Sequence, residues 1–152
     1  TLPQFREIVA TQTAQAQALN SDEILYFSNH NKMLSLYEGA NGIKTGFTNG
    51  ANRCLVTACK RGDMDIICVV LGADTKKFRS TDSIKLMEYA FSHFEYVDIN
   101  NIINTYFENW KKEHLDTFSV YKGLYDYISL TYNPPSYSNI PIKNDMLETM
   151  RI

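Results

Sequence analysis

Three strand-like runs in close succession constrain this chain more than any other feature: Gly42 to Thr48, Arg53 to Lys60 and Met64 to Gly72. Arg61-Gly62-Asp63 separates the last two and has the chemistry of a hairpin turn, so the three runs predict an antiparallel meander. Centring that turn on Gly62 pairs residues whose numbers sum to about 124, which sets Cys68 opposite Val56. Side chains alternate along a strand, so Cys54 and Cys59 fall on opposite faces of the second run. No pair of the three cysteines is then placed to bridge, and no C-x-x-C spacing occurs. Buried thiols are expected rather than a disulfide framework or a zinc site.

Helical signals flank the meander. Pro3 stands in a starting position, Phe5, Ile8 and Val9 follow at helical spacing, and an Ala/Gln-rich stretch of high helix propensity continues to Leu19, which predicts a helix over Leu2 to Leu19. Ile24 to Phe27 reads as a short strand, and Ser28-Asn29-His30-Asn31 as a turn in which asparagine side chains bond their own backbone. A brief helical piece is expected around Lys32 to Tyr37. From Ser80 to Phe94 the apolar residues recur every three to four positions, with Ser80, Thr81 and Asp82 as N-cap candidates, so a helix is expected to pack back on the sheet.

Beyond Glu95 the character changes. Asn100, Asn101 and Asn104 come close together, Tyr- and Phe-rich segments follow, and Asn133-Pro134-Pro135-Ser136 marks a loop. A boundary near Asp98 divides the chain into residues 1–97 and 98–152, the latter expected to be the start of a small β-rich domain with strands such as Tyr125 to Tyr132. The fold class is therefore α+β: an antiparallel sheet with packed helices, followed by that partial β-rich unit.

Composition excludes several function classes. With 44% hydrophobic and 21% charged residues the chain can bury a core. The formal net charge is -2 and the basic residues are scattered along the sequence, so nucleic acid is not an expected partner. The longest apolar run, Ile66 to Leu71, is strand-sized, and the residues after Thr1 lack the pattern of an export signal. His30, His93 and His114 show no ligand spacing, so no metal is expected. Phe118, Tyr121, Tyr125 and Tyr127 are read as core aromatics rather than a ligand platform.

The chemistry resides in Lys44-Thr45-Gly46. A specified tripeptide arises by chance in a chain of this length on the order of 2% of the time, and a solvated strand end is the plain alternative. Its setting argues for a site. In Asn41-Gly42-Ile43-Lys44-Thr45-Gly46-Phe47-Thr48 a glycine stands where bulk would block a peptide backbone, and a strand with free backbone groups can align an extended peptide while Lys44 and Thr45 bind charge. Lys-Thr-Gly is also one of three elements, with Ser-x-x-Lys and Ser-Asp-Asn, of class A β-lactamases and penicillin-binding proteins.

Residues Asn29 to Phe94 resemble the D-alanyl-D-alanine carboxypeptidase family of low-molecular-weight penicillin-binding proteins. The resemblance runs through Asn31-Lys32-Met33-Leu34, Gly42 to Thr48, Cys54-Leu55-Val56, Val69-Val70-Leu71-Gly72 and Arg79 with Leu86 to Phe91. Where the family pattern holds a glycine, Asn52 stands here, a residue that also visits left-handed backbone. The resemblance implies a transpeptidase-type domain, with Lys44 contributing positive charge and Thr45 hydrogen-bonding the substrate or antibiotic carboxylate. It implies that Gly46 keeps the strand open, that the Phe47 backbone N–H forms half of an oxyanion hole, and that Thr48 and Arg79 bind substrate. Arg79 lies 35 residues after Lys44, near where the free C-terminal carboxylate would sit; its plain alternative is a surface arginine before a helix.

The same resemblance implies peptidoglycan stem peptides and β-lactams as ligands, no cofactor, and an extracytoplasmic location. In the family's order Ser-x-x-Lys and Ser-x-Asn precede Lys-Thr-Gly, and neither occurs in the 43 residues before Lys44. Ser119-Val120-Tyr121-Lys122 matches the first by letters but falls after the strand, so it is not read as the nucleophile. The chain alone is expected to be inactive and, with a sheet face left to cover, to self-associate. The alternatives are a non-catalytic scaffold module that kept the strand, or a transpeptidase or β-lactamase relative.

Overall fold

The computed structural model describes residues 2–115, 118, 120–124, 128–136 and 139–150. Two compact units form, one ending at His93 and the other beginning at Phe94.

The first unit is built on a three-stranded antiparallel sheet of β3 (Ala40–Thr48), β4 (Asn52–Arg61) and β5 (Met64–Ala73), in that order. This is the meander expected from the sequence. Its register differs by one residue: Arg61 pairs with Met64, Val56 with Val69, and Cys68 faces Thr57 rather than Val56. The turn is the two-residue Gly62-Asp63, with Gly62 in the left-handed region (φ 57°), and not a three-residue turn centred on Gly62. Even so, all three cysteines are free, with Cys59 and Cys68 buried and Cys54 half-buried.

Helix α3 (Lys76–His93) covers one face of the sheet. Leu55, Thr57 and Cys59 of β4 alternate inward, as do Cys68 and Val70 of β5, and they join Met33, Tyr37 and Met87 in the core. Met33 belongs to the short helix α2 (Met33–Leu36), whose approach is set by two asparagine turns: the Asn31 N–H donates to Asn29 Oδ1 at 2.9 Å, and the Met33 N–H to Asn31 Oδ1 at 3.1 Å. A second cluster locks α3 to the hairpin. Tyr37 donates its hydroxyl to Glu88 at 2.6 Å, Arg61 donates to the same carboxylate oxygen at 3.1 Å, and the Arg61 guanidinium lies over the rings of Tyr37 and Phe91.

Helix α1 (Pro3–Ala10) packs on β3. Its close approach explains Gly42, where a Cβ would stand 2.9 Å from Val9 Cγ2. The expected helix to Leu19 is corrected here. It stops at Ala10, and Thr13–Gln17 forms β1, paired antiparallel with β2 (Ile24–Ser28) from Thr13↔Ser28 to Gln17↔Ile24. Helix propensity in Ala16 and Gln17 is worth only tenths of a kcal/mol per residue, and a ladder of cross-strand backbone bonds outweighs it. The turn between the strands holds Asn20 at φ 65°, and the Ala18 N–H donates to Glu23 O at 2.8 Å. Both strands are exposed along their whole length.

In the second unit β6 (Phe94–Asp98) pairs antiparallel with β7 (Asn139–Lys143). The reading of this region as strands is corrected by α4 (Ile99–His114), a helix of 16 residues, and by the shorter α5 (Asn144–Met150). Asp98 starts α4 by accepting from the Asn100 N–H at 3.0 Å, and Phe107 stacks with Trp110 along it. The asparagines that read as a loop are the first turns of an amphipathic helix, their apolar partners Ile102, Ile103 and Phe107 spaced at its period. Of the strand expected over Tyr125 to Tyr132, residues 128–132 are not in a strand and Tyr125 and Tyr127 lie outside the described residues, as does Ser119.

Candidate active site

Lys44, Thr45, Gly46 and Phe47 occupy the end of β3, an outer strand of its sheet, opposite Val56, Leu55, Cys54 and Arg53 of β4. Alternation turns Thr45 and Phe47 to the face covered by α3, while Lys44 and Gly46 point the other way. Lys44 donates its ammonium to the Thr45 carbonyl at 2.8 Å and remains exposed, free to turn toward an anion. A Cβ at Gly46 would meet only Cys54 Cβ at 3.5 Å, ordinary contact. Internal packing therefore does not require glycine there, and the open side of the strand is where its absent side chain matters.

Thr48 closes the strand: its hydroxyl accepts from the Ala51 N–H at 3.0 Å in the β3–β4 turn. That commits one side of the hydroxyl to the turn and leaves its proton for another partner. Asn52 follows at φ 53°, the left-handed conformation anticipated for a residue standing at a glycine position.

Arg79 departs from the surface-arginine alternative. The helix begins at Lys76 rather than Ser80, because Thr75 supplies the cap: its hydroxyl accepts from the Phe78 N–H at 3.0 Å and its carbonyl from the Arg79 N–H. Arg79 is thereby carried into the first turns of α3, aligned at four-residue spacing with Ser83 and Met87 on its buried line. Only 6% of its surface is exposed. Its Nη1 donates to the Cys54 carbonyl at 3.3 Å, while Nε is buried without a partner in the protein. Burial first, and the nearby Arg53 second, pull its pKa below the ordinary arginine value. A buried guanidinium without a carboxylate is a group set to receive an anion.

Lys44, Thr45, Gly46, Phe47 and Arg79 all line one cleft of about 410 Å3. The structure thus gathers the strand motif and the arginine on α3 in one place, while Thr48 sits at the strand's end outside the lining. It also adds Arg53, Lys76 and Lys32, which sequence reasoning passed over. Arg53 was within reach of that reasoning: it pairs with Phe47 across the β3–β4 turn and lies over its ring at 4.5 Å. Lys76 was hidden by the late helix start, and Lys32, although within the Asn31 to Leu34 string that carries the resemblance, was given no role. Among the described residues no group of His, Cys, Asp and Glu is arranged to hold a metal ion, and no helix is long and apolar enough to cross a membrane.

A family model described as D-alanyl-D-alanine carboxypeptidase matches residues 2–75, about half of the chain, a segment that contains Lys44 to Thr48 and ends before Arg79. The D-alanyl-D-alanine carboxypeptidase DacF of Bacillus subtilis (strain 168) is 40% identical over 76 residues, covering 50% of this chain and 20% of the relative. A D-alanyl-D-alanine carboxypeptidase of Streptomyces sp. (strain K15) is 35% identical over 92 residues, covering 58% and 32%, and DacC of Escherichia coli (strain K12) is 41% identical over 78 residues, covering 51% and 18%. The chain therefore spans no more than about a third of these curated relatives. The crystal structure of the Streptomyces K15 DD-transpeptidase superposes with a TM-score of 0.54 at 36% identity, over 58% of this chain and 35% of that one. That likeness agrees with the α+β fold class.

Proposed function

We propose a function for this chain on the premise that its residues 2–75 belong to the D-alanyl-D-alanine carboxypeptidase family. It forms one wall of a serine D,D-carboxypeptidase site that removes the terminal D-alanine of peptidoglycan stem peptides in the cell envelope. The observation that carries this reading is the joining of the Lys44-Thr45-Gly46 strand and the buried, anion-lacking Arg79 in one cleft. A peptide laid along β3 would place its C-terminal carboxylate against Thr45 and Arg79. Lys44 would add positive charge, and the Phe47 N–H would donate to the oxyanion that develops when a serine attacks the scissile carbonyl. Attack forms an acyl-serine ester and expels D-alanine as the amine takes up a proton; water then hydrolyses the ester. The serine and its activating lysine would come from polypeptide other than these 152 residues, and β-lactams would acylate the same serine. By itself the chain would bind without turning over.

Labelled penicillin and D-alanine release test the reading on the intact protein that carries this chain. Covalent labelling is expected in the wild type, and its loss in Lys44→Ala. Thr45→Val removes a hydrogen bond to a charged group, worth about 1.5–3 kcal/mol, so kcat/KM for D-alanine release should fall roughly ten- to a hundredfold. A wild-type protein that neither labels nor releases D-alanine overturns the proposal and leaves the scaffold alternative. Antibiotic hydrolysis faster than D-alanine release would move the assignment to a β-lactamase relative.

A further inference from the structure

Asn31-Lys32-Met33-Leu34 is part of the family resemblance, yet none of its residues takes part in the chemistry proposed for β3. Asn31 is only 3% exposed. Its Oδ1 accepts from the Met33 N–H at 3.1 Å, and its Nδ2 is buried without a partner among the described residues. Burying a carboxamide with its donor end unsatisfied costs more than one neutral hydrogen bond returns. Fold stability is therefore a poor reason for an asparagine here. The backbone conformation that its one bond enforces is a better one.

That conformation is a pair of asparagine turns, each side chain bonding a backbone N–H two residues ahead. Asn29 Oδ1 accepts from the Asn31 N–H at 2.9 Å, and Asn31 then leads the chain into α2, where Met33 is fully buried. The other end of the Asn29 side chain is fastened too, its Nδ2 donating to the carbonyls of Thr11 at 3.0 Å and Val9 at 3.3 Å. The Asn29 N–H donates to Gln12 O at 2.8 Å, and Gln12 Nε2 donates to Leu34 O at 3.0 Å, which ties the residues after α1 to α2. Val9 in turn stands against Gly42 of β3, two residues before Lys44. His30 lies inside the first turn and Lys32 inside the second, and both line the same cleft as Lys44-Thr45-Gly46. The connection from β2 to α2 is thus braced against the strand whose motif it borders.

We infer that Asn31 is a positioning residue of the candidate site, its side chain holding the loop in the shape that keeps His30 and Lys32 in the lining of the cleft. The inference rests on the carboxypeptidase reading above and adds the β2–α2 connection to the machinery. Asn31 is buried and acts through its exposed neighbours rather than on substrate. Loss of its side-chain acceptor releases the Met33 N–H, and the residues on either side of Asn31 then leave the wall of the cleft. Displacing such a wall by about 1 Å lowers turnover although no reacting group has been removed.

The test is a mutant cycle on the intact protein, read as kcat/KM for D-alanine release from an acyl-D-Ala-D-Ala peptide, with thermal melts to show that each variant is folded at the assay temperature. Asn31→Ala is expected to lower kcat/KM about tenfold or more. Asn31→Ser, whose hydroxyl can still accept from the Met33 N–H, is expected to recover part of that loss. In a His30→Ala/Lys32→Ala background Asn31→Ala should add less than about twofold, because the side chains it positions are gone. Should that background be too slow to follow, each of its single variants serves in its place. A purely structural role would cost the same factor in both backgrounds. That result overturns the inference while the carboxypeptidase reading stands, as does an Asn31→Ala variant with wild-type turnover. If Asn31→Ala does not fold, Asn31→Ser is carried through the same two backgrounds and judged by the same rule. Absence of release by the wild type overturns the carboxypeptidase reading, and the inference falls with it.

Discussion

The β1–β2 hairpin and the β4–β5 hairpin belong to one compact unit and obey the same local rules, yet they differ in what surrounds them. Each has an antiparallel ladder and a turn with one residue at positive φ, Asn20 in the first and Gly62 in the second. Along β4 and β5 every second residue turns into the core, and Leu55 and Cys59 are fully buried beneath α3. In β1 and β2 no residue is buried, and Ile24, Tyr26 and Phe27 each leave half or more of their surface exposed. Backbone pairing alone makes a hairpin marginal in water, and burial of one face makes it stable. The candidate site follows this division: Lys44 to Phe47 pair with the buried strand, so their geometry rests on the stable part of the molecule.

The largest test of this contrast is truncation of side chains at matching chemistry. Leu55→Ala opens a cavity under α3 and should cost about 2–5 kcal/mol, as should Met87→Ala from the helix side. Leu25→Ala, on the exposed hairpin, should stay within roughly 1 kcal/mol, because little apolar area is lost from a packed environment. Denaturant midpoints at unchanged m-value read both. Equal losses at Leu25 and Leu55 would mean that the hairpin is covered in solution, as self-association of the chain would produce.

Gly42→Ala drives a methyl group to 2.9 Å from Val9 Cγ2, and overpacking of this kind costs about 1–3 kcal/mol. Gly46→Ala, four residues along the same strand, meets only an ordinary contact and should change stability by less than about 1 kcal/mol. In the intact protein it should nevertheless suppress penicillin labelling, because its methyl group occupies the open side of β3. A Gly46→Ala variant that unfolds would move this glycine from function to packing.

The smallest effect is a pH dependence at the contact joining α2, β4 and α3. The Tyr37 hydroxyl and then Arg61 hold the Glu88 carboxyl below the ordinary carboxylate range, so this contact contributes stability that is present above the unfolded value near 4.5 and is lost as pH falls through the lower folded value. Burial, and then the hydrogen bond to Glu88, push Tyr37 above its ordinary value of 10.0, so its contribution is complete below pH 10 and is lost as pH rises through the raised folded value. Glu88→Gln should flatten the acid limb of the stability profile without altering the core. Thermal melts of wild type and variant between pH 3 and 7 read the difference; identical acid limbs would show that the exposed carboxylate is already screened.

Legibility from sequence followed the range of the forces involved. The β3–β4–β5 meander was readable because turn chemistry and alternation act over a few residues, and Lys44-Thr45-Gly46 was readable because a motif on a strand keeps its order. The register slipped by one because a two-residue and a three-residue turn differ only in backbone angles around Gly62. Thr13 to Gln17 was misread as helix because its partner, Ile24 to Ser28, lies beyond a turn, and cross-strand bonds outweigh small local preferences. The α4 helix was missed because its asparagines read as loop while its apolar spacing became visible only over four turns.

The strand and its motif were legible in the residues that carry them; which face of β3 meets α3 was not. Tertiary structure alone decided that Thr75 starts the helix early enough to bury Arg79, that Arg53 lies over Phe47, and that Lys76 joins them in one cleft. Local codes fix which way a side chain leaves its own element. Whether side chains from three elements meet depends on how those elements pack, and at Arg79 that packing turned a residue of ordinary surface chemistry into a buried cation awaiting an anion.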